Sequence, residues 1–176
     1  MPLMIRPIQE KESDAVYQMF QDIPAEENGA TNHAHGMTRP EFDDFCKKMA
    51  ARSVAQANGR KEFSDGKVPQ TIYIIVEEGI PVGFGKFRPF LNEACFQNRA
   101  GHFAFMISPK HRCKGCATKY LEFIKGEATT LGLPEIEGVA LESNVASCRV
   151  MEKNGGTVKQ RIDGDVVYAI KLGKTR

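Results

Sequence analysis

Apolar positions along the chain change their period several times, and each change marks an element. Residues 4–8 form a short apolar run that suits a strand. Ser13 or Asp14 can cap a helix in which Val16, Met19, Phe20 and Ile23 follow helical spacing until Pro24. Residues 24–37 carry Gly, Asn and two His without periodicity and read as loop. Thr38-Arg39-Pro40-Glu41 has the form of a capping box, in which hydroxyl and carboxylate each satisfy a free first-turn amide. Phe42, Phe45, Cys46 and Met49 then make one apolar stripe, read as core, with Asn58-Gly59 as its stop.

Residues 60–70 are polar loop, and the β-branched run 71–76 turns at Glu77-Glu78-Gly79 into a second strand, 82–90. Residues 102–107 are apolar on both faces, which suits a central strand, and Pro109 ends it. From Gly115 a helix follows, with Ala117, Leu121, Ile124, Ala128 and Leu131 on one face and Gly132 closing it. A strand at 136–141, a helix at 145–153 and Asn154-Gly155-Gly156 come next. Strands 157–162 and 166–172 flank a turn at Asp163-Gly164-Asp165. The order β-α-α-β-β-β-α-β-α-β-β predicts an α/β (α+β) fold, a mixed sheet of about seven strands with about four helices. It does not predict a doubly wound parallel sheet.

At 176 residues, with no repeat or linker, the chain reads as one domain over 1–176. Its 24 basic and 22 acidic residues leave +2, which argues against a nucleic-acid coat or an anionic-membrane binder. No apolar run approaches the ~18 residues that span a bilayer, and the first six residues lack a signal peptide's apolar stretch. Five cysteines, an odd number, read as reduced thiols in a cytoplasmic protein.

Chemistry concentrates in the strand-turn-helix 102–131, at Arg112-Cys113-Lys114-Gly115-Cys116-Ala117. A tight turn into a helix aims several free amides at one point, and the helix dipole adds partial positive charge. Gly115 and Ala117 let an anion approach the backbone, while Lys110, Arg112 and Lys114 add charge. These ingredients suit a pyrophosphate, although neither a Walker A loop nor G-x-G-x-x-G is present. Alone, the six residues fit an ordinary helix start with solvated Lys and Arg equally well. Cys113 and Cys116 form a C-x-x-C pair, but zinc would want two more ligands at matching spacing, so they read as small packing residues. His33-x-His35 reads as polar loop, and no metal site is assigned.

Arg112-x-x-Gly115-x-Ala117, following a strand and the Ser108-Pro109 break, resembles motif A of the GCN5-related N-acetyltransferases, [QR]-x-x-G-x-[GA]. Asn144-x-x-Ser147 leading to Glu152-Lys153-Asn154-Gly155-Gly156 resembles the second half of that fold. With Leu91-Asn92 and Gly101-His102, the similarity spans about residues 4–172 and points to a branch with no settled substrate. The resemblance implies transfer of acetyl from acetyl-CoA to a primary amine of a small molecule or peptide, by direct attack in a ternary complex. It also implies that strands 102–107 and 136–141 run parallel and splay apart. Acetyl-CoA would then be held by Phe105, Met106, Ile107, Arg112, Cys113, Lys114, Gly115, Cys116, Ala117, Thr118, Asn144 and Ser147. An N–H near Met106 would polarise the thioester carbonyl.

Two positions depart from the pattern. Met151 stands where many members carry a proton-donating Tyr, and Gly101 stands where some carry a Glu base. A free alkylamine has a pKa near 10, so a base or water chain is needed. His102, Glu142 and Glu93 are the candidates, each with an ordinary surface or hydrogen-bonded role as its alternative. No cysteine has a neighbouring base that would make it a nucleophile. In this arrangement the 24–37 loop borders the acceptor groove, and Asp22, Glu26 and Glu27 beside it predict a cationic amine. Nucleic acid and membrane are not expected partners, and a homodimer is left open. A non-catalytic acyl-CoA binding module and a nucleotide-binding protein are the competing readings.

Overall fold

The computed structural model describes residues 3–173; of the opening segment judged against a signal peptide, Met1 and Pro2 lie outside them. Strand β1 (Met4–Pro7) leads to helix α1 (Asp14–Asp22), where the Ser13 hydroxyl accepts from the Val16 amide at 3.3 Å. Residues read as plain loop contain a hairpin, β2 (Glu26–Glu27) and β3 (Ala30–Thr31). It turns at Asn28-Gly29, with φ of 50° and 80°, the left-handed pair that Asn-Gly favours between strands. Helix α2 (Arg39–Ala57) starts where Glu41 reaches back to accept from the Thr38 amide at 2.7 Å.

Strands β4 (Thr71–Glu77) and β5 (Ile80–Phe87) follow, then a five-residue helix α3 (Glu93–Gln97) that the sequence reading did not place. Strand β6 (Phe103–Ile107), helix α4 (Cys116–Thr130), strand β7 (Glu135–Leu141), helix α5 (Val145–Lys153) and strands β8 (Thr157–Ile162) and β9 (Asp165–Lys171) complete the order. The seven long strands and four longer helices stand where the hydrophobic periods put them. On α4, Cys116 and Tyr120 join Leu121, Ile124 and Ala128 in the buried face, whereas Leu131 is 56% exposed and falls outside it.

Two antiparallel sheets form, β1-β4-β5-β6 and β7-β9-β8. Strand β4 is buried on both faces because helices cover both: α1 and α2 pack Phe20, Phe42 and Met49 onto Ile72, Ile74 and Phe84. On the other face Tyr120, Leu121 and Ile124 of α4 share a core with Ile75, Phe87, Ile136 and Tyr168. Burial of each such side chain contributes roughly 1.5–3 kcal/mol, so this layering outweighs any single cap. Among the described residues no helix is long and apolar enough to cross a membrane.

The two sheets meet at one short seam. His102 N donates to Glu137 O at 2.8 Å, and Glu137 N donates to His102 Nδ1 at 2.9 Å. Closeness here depends on Gly101, where a Cβ would lie 2.5 Å from Glu137 O. Beyond the seam β6 and β7 are not hydrogen-bonded to each other.

Candidate functional site

Strand pairing decides which backbone groups face the gap between β6 and β7. Ser108 N donates to Val82 O at 2.8 Å and Arg88 N to His102 O at 2.6 Å. Alternation between those ends pairs Met106 with Phe84 and Ala104 with Lys86, and turns the amides of Phe105 and Ile107 into the gap. The Met106 amide therefore belongs to the sheet, and of the N–H groups near it those of Phe105 and Ile107 face the gap. On the opposite side, Glu142 N to Gly164 O and Leu172 N to Pro134 O set the same alternation, leaving Val139 and Leu141 facing the gap. The result is a wedge closed at His102–Glu137 and lined higher up by free strand edges.

The turn expected to hold an anion, 112–117, sits at the wide end. A 3-10 turn, Pro109–His111, brings Arg112 back so that its Nε donates to Ile107 O at 3.0 Å. Cys113 and Gly115 then take φ of 60° and 83°, folding the backbone so that successive amides converge at the start of α4. The first amide of α4 to find an acceptor is Lys119 N, at 3.0 Å from Gly115 O; those of Cys116, Ala117 and Thr118 have no intrahelical partner. A Cβ on Gly115 would meet nothing within 4 Å, so the space before these amides is open. The Arg112 side chain is already engaged. Its Nη1 donates to Glu27 Oε1 at 2.9 Å and Nη2 to Glu27 Oε2, a two-pronged pair that ties the β2–β3 hairpin to the turn.

Asn144 caps α5, with Oδ1 accepting from Ser147 N at 3.3 Å and Nδ2 donating to Ser147 Oγ at 2.8 Å. The Asn-x-x-Ser signature is thus a helix start, and both side chains also line the wedge. Asn154 is buried and ties α5 to α4 through Nδ2, which donates to Thr118 O at 3.2 Å.

The candidate bases do not converge on the wedge. His102 spends Nδ1 on the seam, and burial lowers its pKa below the ordinary 6.5. Glu142 pairs with Arg161 Nε at 3.0 Å on the surface, and Glu93 lies exposed in the first turn of α3. Met151 is buried in the core with Phe103 and Cys148 and borders the wedge without a proton to give. Cys113 is exposed and Cys116 buried; both are free thiols, and burial raises the Cys116 pKa. Among the described residues no group of His, Cys, Asp or Glu is arranged to hold a metal ion.

His102 carries a pH prediction. Its folded pKa is lowered, so as pH falls the unfolded chain takes the proton first and stability is lost. That contribution is complete above about 6.5, the free value, and shrinks below it. Thermal unfolding of His102→Asn, whose side-chain oxygen keeps an acceptor without titrating, should lose less stability between neutral and acid pH than the parent. Its kcat should stay near the parent's, since the imidazole does not line the wedge.

Three neighbouring cavities share lining residues. The donor-side cavity, about 470 Å³, lies between the anion turn, α5 and the Phe105–Ile107 edge. A central one of about 610 Å³ shares Phe105, Met106, Asn144 and Ser147 with it and extends under the hairpin. A third, about 790 Å³, opens between α2 and α3 and shares His33, Lys86 and Arg88 with the centre. Of the three acidic residues expected beside the acceptor groove, Asp22 and Glu26 do not line these cavities, and Glu27 lines only the donor-side one. Glu27 is held by Arg112, Asp22 accepts from Gln18 at 3.1 Å, and Glu26 is exposed on β2. The cations Lys86 and Arg88 were not singled out from the sequence, although their alternation in Phe84-Gly85-Lys86-Phe87-Arg88 was the signal.

A family model described as an acetyltransferase (GNAT) domain matches residues 2–157. A search of curated proteins finds no match. Among solved structures, RimL, a ribosomal L7/L12 alpha-N-protein acetyltransferase in complex with coenzyme A, superposes with a TM-score of 0.67 at 16% identity, covering 97% of this chain and 94% of that one. YncA from Salmonella typhimurium, solved with its cofactor acetyl-CoA, gives 0.61 at 14%, covering 100% and 97%. An N-acetyltransferase from Staphylococcus aureus Mu50 gives 0.61 at 19%, covering 98% and 100%. With a wedge of free strand edges, an anion turn at its mouth and a family model matched over most of its length, the chain belongs to the GNAT acetyltransferase family.

Proposed function

We propose that the chain is an N-acetyltransferase that passes acetyl from acetyl-CoA to a primary amine by direct attack. The observation that carries this reading is the row of cavities with shared lining residues that leads from the anion turn past the free strand edges of the wedge. Free amides at Cys116, Ala117 and Thr118 would receive the pyrophosphate, and the edges of Phe105, Ile107, Val139 and Leu141 would bond the pantetheine arm as an added strand. Coenzyme A and acetyl-CoA in the RimL and yncA structures support that choice of donor. The thioester would then lie where the donor-side and central cavities meet, beside Asn144, with the Phe105 or Ile107 amide toward the developing oxyanion. Because Met151 donates no proton, the leaving thiolate takes one from solvent or from the amine. A water chain through the central cavity removes the proton from the attacking ammonium.

The test is release of free CoA thiol from acetyl-CoA in the presence of an amine panel. Amine-dependent release is the expected result. Tight CoA binding with no release from any amine would make the chain an acyl-CoA binding module.

A further inference from the structure

Lys86 on β5 and Arg88, one residue past its end, continue the alternation of Phe84 and line both the central cavity and the third. Lys86 is 8% exposed and donates from Nζ to Thr31 O at 3.1 Å. The Arg88 Nη1 donates to Gly101 O at 3.2 Å. Among the described residues neither forms an ion pair. Asp165, the one carboxylate lining the central cavity, is held by Arg99 at 2.9 Å. Glu41, Asp44 and Asp65 line the third cavity together with Lys48, Arg52 and Lys67, and none of the six lines the central one.

Two cations taken out of water without a counter-ion cost several kcal/mol unless something negative is brought to them. Their neighbourhood shows the uncompensated field. Burial and Arg88 push Lys86 down to about 8, and burial with Lys86, Lys67 and Arg88 lowers His33. Within a folded protein such an arrangement is expected where a ligand supplies the missing charge.

We infer that the acceptor is a small amine bearing its own anionic group, a carboxylate or phosphate, which Lys86 and Arg88 hold while its amino group points at the wedge. Geometry sets the size. Lys86 pairs with Ala104 on β6, and Met106, at the donor-side edge, lies two residues further along, about 7 Å. An amine a few bonds from its acid group spans that distance. This inference rests on the acetyltransferase reading and specifies the substrate class of the same site.

The experiment compares matched acceptors with the full chain. Amino acids are set against their carboxamides, and phosphoethanolamine against ethanolamine, by CoA release. The anionic member should be preferred about tenfold or more in kcat/KM, the effect of one charge-assisted contact. Whichever pair shows the preference distinguishes carboxylate from phosphate. Lys86→Met should erase the preference and raise the acceptor KM while leaving the KM for acetyl-CoA unchanged. Equal use of charged and neutral members, or a preference that survives in Lys86→Met, overturns the inference but leaves the acetyltransferase intact.

A second readout needs no turnover. In protein labelled with 13C at the lysine ε-carbon, acetate or inorganic phosphate should raise the Lys86 titration midpoint. A midpoint unmoved by both anions also overturns the inference. Failure of CoA itself to bind by calorimetry would instead remove the proposed function beneath it.

Discussion

Replacing Gly115 with Val should abolish measurable coenzyme A binding while the protein remains folded. Gly115 has a φ of 83°, a region that costs an L-residue roughly 1–2 kcal/mol and a β-branched one more. A Cβ there meets no neighbour within 4 Å, so the cost falls first on the backbone of the turn. The turn can relieve that strain only by rotating back to negative φ, which swings the amides of Gly115, Cys116 and Ala117 apart. Hydrogen bonds to a charged group contribute about 1.5–3 kcal/mol each, so losing two weakens binding by a hundredfold or more. Calorimetric titration with coenzyme A, beside a melting curve, checks both halves. Undiminished binding by a folded Gly115→Val protein would show that this turn does not hold the donor.

Gly101→Ala should produce the larger loss of stability. The added Cβ would sit 2.5 Å from Glu137 O and 3.1 Å from Gly138 Cα, both backbone atoms that cannot rotate away. Overpacking of this kind costs about 1–3 kcal/mol, here at the upper end because the sheet seam must open. At this chain length ~3 kcal/mol corresponds to a fall of roughly 6–12 °C in Tm. Pulling the seam apart also moves Phe105 and Val139, so kcat should fall in parallel with stability. A Tm unchanged in Gly101→Ala would refute this account of the seam. The same contact excludes a glutamate at this position, since its Cβ could not be placed here without parting the strands.

What the sequence disclosed and what it withheld follow from the range of the forces concerned. Helices α4 and α5 and their caps at Gly115 and Asn144 rest on local periodicity and local hydrogen bonds, so their positions could be read along the chain. The hairpin was legible in Asn28-Gly29, but its two-residue strands are too short for any alternation to register. Pairing between distant segments left no trace. That Arg112 would grip Glu27, 85 residues away, cannot be read from either neighbourhood, nor can the diversion of His102 to the seam. Met106 shows the same limit. Strand position alone gave no parity, and the partner Phe84 decides that its amide is spent. The expected preference for a cationic acceptor turned on three loop acids whose charge is exposed or already paired. The two cations that line the cavities arise from an alternation that looked like ordinary core.

Openings at both ends of the row of cavities have a kinetic consequence. The donor-side mouth lies on the face of the sheet covered by α4 and α5, and the other mouth on the face covered by α1 and α2. In the proposed reaction neither reactant would block the doorway of the other, so no enforced queue would govern their arrival. Initial-velocity lines for this chain should intersect, and the acetylated product can depart while the spent thiol is still bound.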